Sequence, residues 1–259
     1  MRWSPRAGEF CRSVLPRLAG RGDNVVFGLF QNDGRLAAAG VHAVLGTAIT
    51  APPQAHQGEA LFGCGCFWGA EKGFWRLPGV ITTAVGYAGG ASPSPTYQQV
   101  CSGSTGHAEV VRVVWDQQQI DFSDLLKLFW ECHDPTQGDR QGNDRGSQYR
   151  SCLYVEDPAL LQLALASRDP YQLQLSAAGF DAITTEIRAG VPFFAAEEYH
   201  QQYLAKPGSR PYCSAQPSGV LLEPFEGAAF HLDPRVWQAY DWSISHCVLR
   251  GDNAPIRLL

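Results

Sequence analysis

The sequence of 259 residues has no long uninterrupted apolar run, no basic cluster beyond its first residues and no internal repeat. A membrane-spanning helix needs about 20 consecutive apolar residues, whereas the apolar stretch from residue 25 to residue 49 is broken by Gln31-Asn32-Asp33. The formal net charge is −5, which disfavours binding to nucleic acid or to an anionic membrane surface. We therefore expect neither kind of partner.

The eight cysteines lack the spacing of a structural metal site. Such a site normally has two close ligand pairs, and Cys64 with Cys66 or Cys132 with His133 are the nearest approach to one. The cysteines are also too scattered for a small secreted disulfide-rich domain. We therefore expect no metal and a reducing, cytoplasmic location. The eight are Cys11, Cys64, Cys66, Cys101, Cys132, Cys152, Cys213 and Cys247.

An arginine-rich N-terminus leaves an organelle as the alternative location. The first 21 residues contain five arginines and a single acidic residue, Glu9, but no apolar core of a secretory signal. A transit peptide and an ordinary polar tail are both open at this point. The arginines are Arg2, Arg6, Arg12, Arg17 and Arg21.

Composition divides the chain into three regions. Residues 1–55 form an N-terminal extension that ends in Ala51-Pro52-Pro53-Gln54, and residues 56–215 contain almost all the motifs. Residues 216–259 form a proline-containing C-terminal extension with an aromatic cluster, which packs on the central region or trails from it. We expect one central domain with two extensions, in a monomer.

Strand and helix signals alternate through the central region. This alternation predicts an α+β fold, a two-layer α/β sandwich with a central mixed sheet, a ferredoxin-like core and irregular terminal extensions. Strands are predicted over residues 60–65, 80–85, 109–115, 151–155 and 183–187. Helices are predicted over residues 67–77, 122–130, from 158 onward and 195–204.

Cys66 is the most informative residue, because it stands where a predicted strand becomes a helix. The N-terminus of a helix presents unpaired N–H groups and the positive end of its dipole, so we expect the pKa of the Cys66 thiol to be lowered. Phe67 and Trp68 place aromatic faces beside the sulfur, which suits a small, partly apolar substrate group. For a lone cysteine, a structural core thiol is the alternative.

Glu109 is the candidate proton donor. It lies two residues from His107 on a predicted strand, so both side chains point to one face, and Val111, Val113 and Trp115 continue that face. A carboxyl group held against apolar neighbours has a raised pKa and stays protonated as a general acid. A solvated edge residue is the alternative.

Five sequence blocks occur in an order that resembles one known family. They are Gly65-Cys66-Phe67-Trp68-Gly69, Gly86-Tyr87-Ala88-Gly89-Gly90, Pro95-Thr96-Tyr97 with Cys101-Ser102-Gly103, Gly106-His107-Ala108-Glu109-Val110, and residues 133–150. Together they resemble the peptide methionine sulfoxide reductases of the A type over roughly residues 58–213. The resemblance implies that residues 56–215 are a catalytic domain.

The resemblance also implies a thiol mechanism without a bound cofactor. Cys66 would attack the sulfur of methionine S-sulfoxide, free or in oxidised proteins, while Glu109 protonates its oxygen. The resulting sulfenic acid would condense with a second thiol to a disulfide. In the family that disulfide is reduced by thioredoxin, which is the expected partner.

Five further site residues follow from the resemblance. Tyr97 and Tyr149 match pocket tyrosines that would hydrogen-bond the sulfoxide oxygen. Phe67 and Trp68 would bind the methyl group, and Asp144 matches a carboxylate of the pocket.

The sequence leaves open which thiol resolves Cys66. Cys213 matches the family's first resolving cysteine and lies in a Pro/Gly segment, on a tail able to swing in. Cys64 is two residues from Cys66, about 6.5 Å on an extended strand, near the upper limit for a disulfide. No cysteine follows Ser218-Gly219-Val220 closely, where many members carry a second recycling cysteine, which leaves Cys247 as the third candidate. The other central thiols are expected to be structural: Cys101, Cys132 and Cys152.

Two other functional classes remain as alternatives. A Cys–His hydrolase would pair Cys66 with His107 and form an acyl-enzyme. A non-catalytic redox sensor or binding protein would be oxidised at Cys66 and dock a partner. Neither alternative uses Tyr97, Tyr149 and a protonated Glu109 together.

Overall fold

The computed structural model describes residues 30–31, 40–245 and 247–258. The arginine-rich segment at the N-terminus lies outside the described residues, and so does the side chain of Cys247. Among the described helices, none has both the length and the apolar character required to cross a bilayer.

The regular elements follow the chain in the order that the alternating pattern predicted. The strands are β1 (Phe30–Gln31), β2 (Gln57–Cys64), β3 (Val80–Ala88), β4 (Ala108–Asp116), β5 (Arg140–Gln141), β6 (Asp144–Arg145), β7 (Ser151–Tyr154), β8 (Glu186–Arg188) and β9 (Phe193–Ala195). The α-helices are α1 (Phe67–Trp75), α2 (Tyr97–Cys101), α3 (Phe122–Glu131) and α4 (Pro158–Ala177). Short 3₁₀ helices lie at Ser147–Tyr149, Glu198–His200, Tyr203–Ala205, Pro234–Ala239 and Cys247–Leu249.

Seven of the described strands form one mixed sheet in the order β1-β9-β3-β4-β2-β7-β8. Its centre is antiparallel, since β4 pairs with β2 and β3 and β2 pairs with β7, whereas the outer pairs β1–β9 and β7–β8 are parallel. The predicted α+β class with a mixed sheet is confirmed. The finer ferredoxin-like description stays a prediction.

The sheet separates two apolar clusters. Successive residues of a strand point to opposite faces, so Val111 joins the cluster under α1 and α3 while Val110 joins the cluster on the other face. The first cluster contains Phe62, Phe74 and Phe129. Each fully buried side chain of this size contributes about 1.5–3 kcal/mol to folding, so the helical layer is held firmly on the sheet that carries Glu109.

The C-terminal extension packs on the helical layer. Trp242 and Leu222 are buried in the same cluster as α1 and α3. The hydroxyl of Tyr240 donates a hydrogen bond of 2.8 Å to the carbonyl of Gly73 in α1. The domain boundaries after residues 55 and 215 stay predictions.

One sequence-based assignment differs in its bounds, and another is wrong. The strand expected over residues 183–187 is Glu186–Arg188, which pairs with β7. The helix expected over residues 195–204 is instead the end of β9 followed by two 3₁₀ turns. Pairing of β9 with β3 draws Ala195 into the sheet, and Gln202 has a φ of +45°, which an α-helix does not accommodate.

Candidate active site

Cys66 lies at the N-terminal boundary of α1, two residues beyond the end of β2. Gly65 between them has a φ of +88°, which glycine adopts at little cost. A Cβ at this position would lie 2.6 Å from the Cβ of Gln141. Glycine therefore permits the sharp turn that places the sulfur at the helix N-terminus, where the backbone N–H of Trp68 donates to it.

Burial, rather than the helix N-terminus, dominates the pKa of Cys66. The residue is 8% exposed, and burial followed by the negative charge of Glu109 raises the pKa of its thiol well above the usual value. The N–H of Trp68 opposes this rise without cancelling it. The prediction that the pKa of Cys66 is lowered is therefore wrong. Cys66 is a neutral thiol that must lose its proton as it attacks.

Glu109 is buried at the start of β4, beside Cys66. Its Oε2 accepts a hydrogen bond of 3.1 Å from the backbone N–H of Phe67. Burial raises the pKa of this carboxyl to about 8, with a smaller contribution from the charge of Asp144. The carboxyl is thus mostly protonated at neutral pH, as the apolar row along β4 predicted.

Tyr97 and Tyr149 lie within electrostatic range of Glu109 and Cys66. Tyr97 begins α2, and Tyr149 ends the 3₁₀ helix Ser147–Tyr149. Burial is the largest cause that raises the pKa of each hydroxyl, and the charges of Glu109 and Cys66 raise both pKa values further. Two neutral hydroxyl donors therefore accompany the protonated carboxyl and the thiol.

Asp144 connects the pocket to the segment that carries Cys213. It lies in the β5–β6 hairpin and accepts a hydrogen bond from the hydroxyl of Tyr212, the residue directly before Cys213. Its other oxygen, Oδ2, is buried and has no hydrogen-bond partner among the described residues. Tyr212 was missed from the sequence, because only the fold brings residues 144 and 212 together.

An aromatic wall lies beside the thiol. The ring of Trp68 stacks on that of Tyr203 with centroids 3.9 Å apart, and its Nε1 donates to Nδ1 of His200 at 3.2 Å. The His200 ring is 5.2 Å from Phe67 and 4.5 Å from Tyr97. Burial lowers the pKa of His200 to about 4, so this histidine, which sequence reasoning did not select, is neutral.

Cys213 packs against the first turn of α1. A Cβ at Gly69 would lie 2.5 Å from the Cys213 sulfur, so glycine is what allows this approach. Cys213 acts electrostatically on Cys66, and burial raises the pKa of the Cys213 thiol to about 12. The structure therefore buries Cys213 against the helix that begins after Cys66, whereas the sequence suggested a tail that swings in.

Comparison with known proteins identifies the family. The family model described as "Peptide methionine sulfoxide reductase" matches residues 58–225. The chain belongs to this family. It is 57% identical over 184 residues to peptide methionine sulfoxide reductase MsrA of Azotobacter vinelandii, covering 71% of this chain and 84% of the relative. The corresponding protein of Ectopseudomonas mendocina is 58% identical over 184 residues, with 71% and 83% covered.

Solved structures agree with this assignment. Methionine sulfoxide reductase A of Corynebacterium diphtheriae has a TM-score of 0.64 and 42% identity, covering 79% of this chain and 97% of the other. Reduced Mxr1 of Saccharomyces cerevisiae has a TM-score of 0.56 and 34% identity, with 65% and 94% covered. The resemblance read from the five blocks is therefore confirmed at the level of the methionine sulfoxide reductase family.

A buried carboxyl, Glu71, positions the helix α1 that begins directly after Cys66 in this methionine sulfoxide reductase. Its Oε1 accepts hydrogen bonds from Thr83 Oγ1 at 2.9 Å and from Gln202 Nε2 at 2.7 Å. Its Oε2 accepts the backbone N–H of Gln202 at 2.9 Å. Burial raises the pKa of Glu71 to about 7. The carboxyl ties α1 to β3 and to the segment that carries the aromatic wall.

The hydrolase alternative requires a histidine beside Cys66. The ring of His107, the candidate for that role, makes an edge-on contact with Phe194 at 5.6 Å. The carboxyl of Glu109, by contrast, accepts the backbone N–H of Phe67, the residue after Cys66, at 3.1 Å. The geometry therefore favours a carboxyl as the proton donor.

Replacing Gly69 with alanine is expected to displace Cys213 from α1 and to slow disulfide formation with Cys66. The new Cβ would meet the Cys213 sulfur at 2.5 Å, and forced overpacking costs about 1–3 kcal/mol. Gly73→Ala in the same helix is the matched control, since its Cβ would meet Leu128 at an ordinary 3.6 Å. There we expect the free energy of unfolding to rise by about 0.5–1 kcal/mol.

Two measurements check this expectation. Urea unfolding compares the stability of the two variants, and the loss of free thiols after one equivalent of sulfoxide follows disulfide formation. If Gly69→Ala forms the disulfide at the wild-type rate without loss of stability, the close packing of Cys213 on α1 is irrelevant to resolution.

Proposed function

We propose that this chain reduces the S epimer of methionine sulfoxide, free or in proteins, to methionine, and so repairs proteins under oxidative stress. The observation that carries the proposal is the buried Glu109, whose carboxyl accepts the N–H of the residue after Cys66 at 3.1 Å and whose pKa is raised to about 8. It supplies a proton beside a thiol at neutral pH, which is what removal of a sulfoxide oxygen requires.

The protons of the first half-reaction balance through Glu109. As the Cys66 sulfur bonds to the sulfur of the sulfoxide, Glu109 gives its proton to the sulfoxide oxygen, and the proton of the Cys66 thiol passes to Glu109. The substrate sulfur then loses both its bond to oxygen and its new bond to Cys66: one electron pair makes the bond from the hydroxyl oxygen to the Cys66 sulfur, which gives a sulfenic acid, and the other returns to the substrate sulfur as methionine leaves. Tyr97 and Tyr149 would donate to the oxygen as its charge changes, Tyr97 by turning its hydroxyl from the Cys101 thiol to which it is hydrogen-bonded.

The pocket supplies a basis for selecting one epimer. Phe67 and Trp68 form the apolar side, where contacts between rings and the methyl-bearing sulfur are worth about 0.3–1.5 kcal/mol. Glu109 and the two tyrosines form the polar side, which takes the oxygen. If the methyl group and the oxygen are bound by these different groups, only one epimer of the sulfoxide points its sulfur at Cys66.

The test uses separate S and R epimers of N-acetylated methionine sulfoxide, with dithiothreitol as reductant. Turnover of the S epimer alone supports the proposal. If neither epimer turns over while Cys66 still reacts as a thiol, the sensor or hydrolase alternative takes its place, and acyl-enzyme formation from a simple ester separates those two.

The catalytic cycle closes through Cys213 and an external dithiol of the thioredoxin class. The Cys213 thiol attacks the Cys66 sulfenic acid, a disulfide forms and water leaves. The external dithiol then reduces the disulfide to two thiols. Support for Cys213 is its packing against Gly69 in the first turn of α1, the helix that begins directly after Cys66, together with its electrostatic effect on Cys66.

Cys213→Ser is expected to keep one turnover and to lose cycling driven by thioredoxin. The first half-reaction does not use this thiol, but the sulfenic acid then has no adjacent partner. A rapid-quench assay measures the first equivalent of methionine, and a coupled thioredoxin assay measures cycling. Full cycling in this variant would transfer the resolving role to Cys64 or Cys247.

A further inference from the structure

Cys64 and Cys132 form a buried pair of thiols that lines the same cavity as Cys213. Cys64 ends β2 and Cys132 caps the C-terminus of α3, and the two are 2% and 6% exposed. Their sulfur atoms and one ring nitrogen of His133 all lie within 4.8 Å of one another. The two thiols also share a hydrogen bond, so only a small movement separates them from a disulfide.

A small cavity connects this pair to Cys213. Its volume is about 10 Å³, which is near the space needed for one water molecule. Cys64, Cys132 and Cys213 all line it, together with the small residues Gly69 and Ala70. The free space and the small neighbours leave room for sulfur atoms to approach each other.

Cys213 interacts with both the catalytic thiol and the pair. It acts electrostatically on Cys66, and Cys132 acts in the same way on Cys213. No cysteine occurs between residues 213 and 247. Within the described residues, the thiols best placed to take a disulfide from Cys213 are therefore the two that share its cavity.

His133 supports the pair rather than competing for it. Its Nδ1 donates to the carbonyl of Phe129 at 2.7 Å, and its Nε2 is 2.7 Å from the hydroxyl of Ser151. With both nitrogens engaged, the imidazole has no free lone pair for a metal ion. The hydrogen bond from Cys64, and then His133, lower the pKa of Cys132, which favours Cys132 as the attacking thiolate.

We propose that Cys64 and Cys132 are an internal reducing reserve, which regenerates Cys66 once before any external reductant is needed. This inference rests on the proposed reductase function. The Cys132 thiolate attacks the Cys213 sulfur of the Cys66–Cys213 disulfide, and Cys66 leaves and takes up a proton. Cys64 then loses its proton and attacks the Cys132 sulfur, which releases Cys213 as a thiol. Two electrons have moved from the pair to the active site, and one disulfide has replaced another.

The reserve predicts a stoichiometry. Reduced protein, freed of dithiothreitol and mixed with excess S-sulfoxide, yields two methionines per chain. It finishes with two disulfides, Cys66–Cys213 and Cys64–Cys132, because the regenerated Cys66 and Cys213 react a second time. The double variant Cys64→Ser/Cys132→Ser yields one methionine per chain, a twofold loss. Cys152→Ser is the matched control and keeps two.

Each outcome decides the proposal. Methionine is counted by chromatography, and the disulfides of the wild-type protein are mapped by peptide mass spectrometry, which does not depend on folding of the variants. One methionine per wild-type chain leaves the reductase intact and overturns the reserve. Two methionines with Cys64 and Cys132 still alkylated as thiols also overturn it. No methionine at all overturns both the reductase and the reserve.

Discussion

Cys66→Ser is expected to reduce sulfoxide turnover to the level of the buffer while leaving the fold intact. Serine has almost the same shape as cysteine, and the backbone N–H of Trp68 that donates to the sulfur can donate to a hydroxyl instead. A hydroxyl group, however, cannot form the bond to the sulfoxide sulfur that ends in a sulfenic acid. Turnover of the S epimer with dithiothreitol measures the loss, and urea unfolding verifies the fold.

Cys152→Ser is the matched control for this experiment. Cys152 is also a buried free thiol, but it belongs to the apolar cluster on the other face of the sheet. The control should therefore keep wild-type turnover. Measurable turnover by Cys66→Ser above that of buffer would end the mechanism proposed here, because another residue would then be attacking the sulfoxide.

Glu109→Gln is expected to lower the rate of sulfoxide attack by about 10²–10⁴-fold, the usual contribution of a general acid. The amide keeps the shape of the carboxyl and can still accept the N–H of Phe67, but it has no acidic proton to deliver. Single-turnover kinetics isolate this step from disulfide reduction. A loss of only a few-fold would mean that another group delivers the proton.

The dependence of the reaction rate on pH distinguishes a Glu109 that donates a proton from a Glu109 with only a structural role. Burial raises the pKa of this carboxyl to about 8, so its protonated form is present below that pH and is lost as the pH rises through it. The wild-type rate should therefore fall above about pH 8, and the Gln variant should lack this limb. Glu131→Gln is the control, since Glu131 is a buried carboxyl of α3 whose pKa burial also raises, and it should keep the limb.

Local sequence patterns were enough to predict several residues of the candidate site. The apolar row from Glu109 to Trp115 requires only the two-residue period of a strand, and the turn at Gly65 before Cys66 requires only neighbours in the chain. The helix expected over residues 195–204 failed for the opposite reason. Its outcome depends on pairing between β9 and β3, whose partner residues are more than a hundred positions apart.

The same distinction, between features set by neighbouring residues and features set by distant ones, applies to the properties of individual side chains. Asp144 was found from a motif, but its bond to Tyr212 joins residues 68 positions apart. Glu71 and Gln202, which position α1, are 131 positions apart. The pKa of Cys66 was wrong in direction, because the helix N-terminus is a local feature whereas burial is produced by every segment that covers the thiol.

By itself, the sequence determined the family, the order of the main central elements and the candidates for the nucleophile and its acid, because motifs and periodicity are properties of adjacent residues. Only the tertiary structure decided that Cys66 is a neutral thiol, that Cys213 rests against Gly69, and that Cys64 and Cys132 share a cavity with it. Desolvation and contact between thiols arise when distant segments pack together, and no local pattern records them.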